Sequence, residues 1–288
     1  MGHLKTHDDM SENLHAAAGW HARLELQFEA SAGRTRLTHR RHDGPLLVQK
    51  SLHPEGDATC HVVLIHPPGG VASGDSLNLD VSLRDGAHAL LTTPAAGKYY
   101  RRGPGGRARV TQCFDVAGAA ALEWLPQENI FYPNAEVDLR TIVRVAEDAR
   151  FIGWEIGCLG LPACDRSLEA GDLRLGFELW RAGRPLLLER LALDAQVLAP
   201  RWGMAGCAAF GTALFYPADA GTLGMAVEAA GNSRGNAVIA CTLVDGVLAC
   251  RALGGRADHL KHAFECVWSA LRPALLGREA VKPRIWAT

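Results

Sequence analysis

Neither sign of charge dominates this chain. Thirty lysines and arginines stand against thirty-one aspartates and glutamates in 288 residues, a formal net charge of -1. That balance supplies no electrostatic footprint for nucleic acid or for an anionic membrane surface. Long apolar runs are missing as well. The longest uncharged stretch, 202–218, is interrupted by Gly203, Gly206, Gly211 and Pro217 and falls short of the ~20 apolar residues of a membrane span, so it reads as soluble core. Aromatic residues make up only 7 % and form no evident ladder on which sugars could stack. The eight cysteines include no Cys-x-x-Cys pair, which excludes a zinc ribbon or a small disulfide scaffold and suits small buried hydrophobes in a reducing cytoplasm.

Catalytic signatures are absent too. Thr92 to Tyr99 contains Gly97-Lys98, but no early glycine precedes it and Tyr99 follows the lysine, so the phosphate-cradling pattern is incomplete. Gly69, Gly70 and Gly74 precede a strand-like run and do not open a helix, unlike a dinucleotide fingerprint. No Gly-x-Ser-x-Gly elbow occurs. His259 and His262 lie three apart beside Asp258, a spacing at which two imidazoles could share a metal ion and which an exposed helix face explains equally well.

What the chain does have is turns between alternating runs. Trp20, Ala22, Leu24, Leu26 and Phe28 alternate with polar residues, as in a strand with one wet face. Turn positions Gly86, Gly118 and Asp148 follow one another at intervals of 32 and 30 residues. Each reads as a hairpin signal, as do Arg181-Ala-Gly183 and Val244-Asp245-Gly246-Val247. A unit repeating every ~20–50 residues implies stacked strands, in a solenoid or an elongated sandwich. Helices are few. An i, i+3, i+4, i+7 stripe through Leu260, Phe264, Val267, Trp268 and Leu271 predicts one over 258–272, ending at Pro273 with Phe264 and Trp268 as core anchors, and a shorter one lies within 218–230. Residues 1–18 are polar and acidic, lack the basic start and apolar centre of a signal peptide, and are expected to form a disordered tail before one domain over 19–288. Arg101, Arg102 and the Gly103-Pro104-Gly105-Gly106 run predict an exposed basic loop, a candidate contact surface.

Acidic residues beside apolar runs draw attention because a carboxylate inside a stack must be hydrogen-bonded, paired or solvated. Glu123 and Glu155 fit surface-facing alternation. Asp75, after the glycine block, and Glu189 are candidates for an internal polar role.

Six blocks in register resemble the UreD (UreH) family of urease accessory proteins. They are Gly44-Pro-Leu-Leu-Val-Gln49, the Gly-Gly-x-x-x-Gly-Asp block ending at Asp75, Leu91-Thr-Thr with Lys98 following, Leu122-Glu-Trp-Leu-Pro-Gln-Glu128, Leu187-Leu-Glu-Arg190, and 283–286. One departure shows: where the family often has Gly-Arg followed by a Gly-Glu pair, this chain has Gly160-Leu161 and Asp165. The resemblance implies an all-β fold, an irregular β-helix-like stack of strands and hairpins with a C-terminal helix. It implies a non-enzymatic, cytoplasmic maturation factor that binds urease apoprotein, a UreF-type accessory protein and, through the complex, a UreG-type GTPase. It also leaves room for a homodimer within that complex. No cofactor is expected to bind tightly. Nickel would be in transit, with Asp75 and Glu189 as candidate ligands along a route through the stack. A carbohydrate-active or sugar-binding β-helix, and a scaffold without metal contact, remain the alternatives at this point.

Overall fold

The computed structural model describes residues 19–233 and 235–287; the tail expected over 1–18 lies outside them. The chain opens with β1 (His21–Ser31), β2 (Arg34–Asp43), β3 (Leu47–Val48) and β4 (Thr59–Ile65). It then winds through β5 (Ser76–Leu83), β6 (His88–Thr92), β7 (Gly97–Tyr99), β8 (Ala108–Val116), β9 (Ala121–Trp124), β10 (Asn129–Phe131), β11 (Glu136–Val145), β12 (Arg150–Leu159) and β13 (Asp172–Arg181). The last part holds β14 (Arg184–Leu193), α1 (Ala195–Leu198), β15 (Ala209–Tyr216), α2 (Ala220–Gly231), β16 (Val238–Val244), β17 (Val247–Gly254) and α3 (Ala257–Leu276).

These strands form two facing sheets. One has the order β14-β13-β11-β8-β5-β1-β2, the other β16-β17-β15-β12-β9-β6-β4-β3. The central strands of both sheets are parallel, β1 to β5 to β8 to β11 to β13 in the first and β4 to β6 to β9 to β12 in the second. The chain therefore crosses from one sheet to the other and back as it advances. A short third side, β7 beside β10 beside the end of β12, is parallel too. This is a solenoid of coils about thirty residues long, the period legible in Gly86, Gly118 and Asp148.

The turns at those three positions are not hairpins. They are corners at which the chain leaves one sheet for the other, and they stack: the Gly86 N–H donates to the Gly118 carbonyl at 3.0 Å. A corner and a hairpin both need a tight reversal, which is why one residue chemistry serves both. True hairpins join β1 to β2, β13 to β14 and β16 to β17; the last has Asp245 at φ 48° and Gly246 at φ 76°, a two-residue turn with both centres left-handed.

Between the sheets lie two apolar clusters, one around Leu24, Phe28, Phe114, Trp124 and Phe151, the other around Leu77, Tyr99, Phe131, Leu139 and Phe210. A third cluster fills the outer face of the larger sheet, where Trp154 and Ile152 meet Leu260, Phe264, Trp268 and Leu271 of α3. Phe264 and Trp268 are fully buried, as the stripe required. The helix runs past Pro273 to Leu276 and is closed by Gly277 in the left-handed conformation, whose N–H donates to the Pro273 carbonyl. The sequence placed its end too early because proline sits four residues before the cap. In the 202–218 stretch, every residue of β15 is buried, whereas Trp202 is exposed.

The larger sheet is thus covered on both faces, and this overturns the reading of Glu123 as a surface residue. Glu123 has no solvent exposure; it points at α3, where it accepts from Trp268 Nε1 at 2.7 Å and from Arg272. Arg272, also fully buried, binds Glu55 with Nη2 at 2.7 Å, and His61 and His88 complete the set through Glu55 and Glu123. A buried charge needs partners on every side, and this network supplies them while fixing α3 to β4, β6 and β9.

Candidate functional site

The glycine block and the Thr92 to Lys98 segment, separate in sequence, meet in space. The Val71 N–H donates to the Lys98 carbonyl at 2.7 Å, and the Tyr100 N–H donates to the Val71 carbonyl at 2.9 Å. Close approach explains the glycines. A Cβ on Gly70 would stand 2.4 Å from the Tyr100 ring, and one on Gly74, at φ +83°, would stand 2.8 Å from the Gly105 carbonyl oxygen. At Gly74 the clash is with backbone and the φ is positive, so no larger residue fits, whereas at Gly70 the Tyr100 ring would have to move.

These segments line a cavity of about 270 Å³ with His66, Gly70, Lys98, Gln112 and Trp124 in its wall. It reaches inward between the sheets as far as Asn129 and Glu155. A second cavity of about 40 Å³ starts from the same Asn129 and Glu155 and runs to Thr212 and Glu189. Both exceed the ~10–15 Å³ that a single water needs. Glu155 is therefore shared by two internal spaces, against the reading of it as a surface residue. Glu155 is half-buried, in the wall of both spaces. The alternation that suggested exposure is real, but the face opposite Trp154 looks into the stack.

Glu155 accepts hydrogen bonds from Thr141 Oγ1 of β11 at 2.7 Å, Trp124 Nε1 of β9 at 3.2 Å and Asn129 Nδ2 of β10 at 3.3 Å. Burial pushes its carboxyl above the ordinary value, and these three donors only partly offset that. At the larger cavity, burial holds the His66 imidazole below its ordinary value, while the Asp75 carboxylate pulls the other way. An imidazole, amide oxygens and a carboxylate make a donor set that a hydrated divalent metal ion accepts. The set is dispersed: among the described residues, no three His, Cys, Asp or Glu side chains cluster to hold a metal ion.

Asp75 and Glu189 are not brought together. Asp75 lies outside both cavities, where it caps the glycine turn by accepting from the Trp20 N–H at 2.8 Å and the Ala72 N–H at 2.7 Å. Glu189 lies in the wall of the smaller cavity, accepting from Thr212 Oγ1 and pairing with Arg251 Nε at 2.7 Å. His259 is half-buried and His262 exposed, the latter 3.8 Å from Cys266 Sγ. The 101–106 loop presents Arg101 and Arg102 to solvent, with Arg102 paired to Glu136 at 2.9 Å. Asp165, at the departure from the family pattern, ends a short 3-10 turn at φ 54°, and Leu161 bridges to Arg166. Sequence reasoning missed Gln112 and Asn129; their signal was polarity in phase with inward-facing neighbours.

A parallel β-solenoid, buttressed by a C-terminal helix and carrying two largely apolar cavities that share Asn129 and Glu155 between its sheets, is the class of protein these features define. The sequence matches the family model described as UreD urease accessory protein over residues 21–287. It is 41 % identical over 275 residues to urease accessory protein UreD 2 of Brucella anthropi, covering 94 % of this chain and 100 % of the relative. It is 42 % identical over 280 residues to urease accessory protein UreD of Azoarcus sp., covering 96 % and 97 %, and 40 % identical over 288 residues to that of Methylobacillus flagellatus, covering 98 % and 100 %. The chain belongs to the UreD urease accessory protein family, a role in urease maturation. The carbohydrate-binding alternative finds no support among these matches. No helix among the described residues is long and apolar enough to cross a membrane.

Proposed function

We propose that this chain is a non-catalytic, cytoplasmic maturation factor that binds urease apoprotein together with a UreF-type accessory protein and a UreG-type GTPase, and conducts nickel to urease through its own interior. The observation that carries this reading is the pair of cavities that meet at Glu155 and Asn129. Nickel enters beside His66 and the glycine block, whose shape Asp75 holds, and is passed by Glu155 toward Glu189. Carboxylate and amide oxygens bind Ni²⁺ more weakly than imidazole or thiolate sets, which suits a cargo that has to leave again. Burial raises the Glu155 carboxyl, and a cation arriving beside it favours the ionised form, so charge on this residue is coupled to the presence of the ion.

Reconstitution tests the reading: urease apoprotein, the two partners, GTP and nickel are combined with and without this chain, and metal is measured in the re-isolated urease. Nickel is expected in urease only when the chain is present. Equal nickel in both samples would remove this role.

A further inference from the structure

We propose that Cys241 and Cys250 form a reversible disulfide, a redox modification site on the edge hairpin of the larger sheet. The two residues are direct register partners in the β16–β17 ladder, and their sulfurs lie 3.2 Å apart. Counting from the Asp245-Gly246 turn, where Val244 faces Val247, the pairs alternate between hydrogen-bonded and non-hydrogen-bonded, and Cys241–Cys250 falls on a non-hydrogen-bonded pair. At such pairs the Cα atoms stand ~4.5 Å apart, inside the range that disulfides span. The sulfurs need to close only about 1.2 Å to reach a bond of ~2.0 Å, a side-chain rotation with the backbone in place.

The two thiols differ in the way such a reaction needs. Cys250 is fully buried and Cys241 half-buried. Their mutual hydrogen bond holds the Cys241 thiol below its ordinary value and pushes that of Cys250 up. Cys241 is the attacking thiolate and Cys250 the resolving thiol. With a hydroperoxide as oxidant, the Cys241 thiolate takes one peroxide oxygen, the O–O bond breaks, and hydroxide leaves and is protonated to water. Cys250 Sγ then attacks the Cys241 sulfenic acid, the S–O bond breaks, and the departing hydroxyl takes the Cys250 proton. Two thiols are oxidised and one hydrogen peroxide is reduced to two waters.

The bond would clasp a strand that needs it. Among the described residues β16 is paired within its sheet only to β17, and it exposes Val238 and Val244 on its outer face; a clasp keeps that edge from peeling away and pairing with another chain. Full-length protein treated with limiting hydrogen peroxide is expected to lose two of its eight thiols, with peptide mapping linking Cys241 to Cys250 and dithiothreitol restoring both. Cys250→Ala should instead leave a sulfenic acid at Cys241 that dimedone labels, and Cys164→Ala should change nothing. Loss of other thiols while Cys241 and Cys250 stay reduced would overturn the proposal. So would a Cys250→Ala protein that yields no dimedone adduct at Cys241. The mapping on the parent protein decides the matter even if a variant fails to fold.

Discussion

Arg272 and Glu123 face each other with no solvent on either: Nε lies 2.9 Å from one carboxylate oxygen and Nη2 2.9 Å from the other. One element of this contact comes from the last helix and the other from the middle of the solenoid, so it fixes the helical buttress to the coils. Removing Arg272 strands two carboxylates, Glu123 and Glu55. Arg272→Met should therefore cost ~3–5 kcal/mol in denaturant unfolding, and adding Glu123→Gln and Glu55→Gln should recover part of it. Arg272→Lys should not rescue, because an ammonium cannot make the two-pronged contact.

The same network gives an acid dependence. Burial raises the Glu55 carboxyl, but hydrogen bonds from His61 and Arg272 outweigh it and lower the value from 4.5 to about 2. A carboxylate depressed in the folded state adds stability that is complete above its unfolded value and lost as pH falls through its folded one. The urea midpoint should fall between about pH 4.5 and pH 2, and Glu55→Gln should flatten that slope. An equal slope in parent and variant would assign the acid sensitivity to another group.

Phe264→Ala and Trp268→Ala should each lower stability by ~3–5 kcal/mol through the cavity left between α3 and the sheet. Trp268 also donates to Glu123, so Trp268→Phe should still show a loss from the stranded acceptor. An unchanged unfolding midpoint combined with lost partner binding would move this helix from core to interface.

Near-zero net charge with 48 % hydrophobic residues, together with exposed Trp20, Leu188, Trp202, Val227 and Val238, should make the isolated chain poorly soluble at neutral pH and soluble on co-expression with its partners. A monodisperse, concentrated chain without partners would contradict an uncovered interface.

The period of the coils was legible because the same corner recurs once in each coil, at Gly86, Gly118 and Asp148. The direction of the strands was not, since a glycine reverses the chain equally well at a sheet corner and in a hairpin. Alternation located β1 and β5 correctly, where one face is wet. It misled at Glu123 and Glu155 because β9 and β12 are covered on both faces, so a polar residue in phase points at a helix or into the stack, not at water. Asp75 and Glu189 stood out as acidic residues in patterned blocks, but only the fold separates the cap of a turn from the wall of a cavity. Cys241 and Cys250 read as buried hydrophobes one by one; their contact depends on hairpin register.

The nickel content of urease matured with Glu155→Gln protein tests the passage most directly. Glutamine copies the shape and acceptor oxygen of the neutral carboxyl that burial favours, so folding and assembly with urease and the partners should persist, while no carboxylate can form to receive the ion. Glu189→Ala should act in the same way further along, and Asp75→Ala should act by loosening the mouth. With all three assembling normally, a route through the stack requires less nickel and less activity in the urease produced. Urease matured to the parental nickel content by Glu155→Gln and Glu189→Ala would show that the metal does not travel between these sheets.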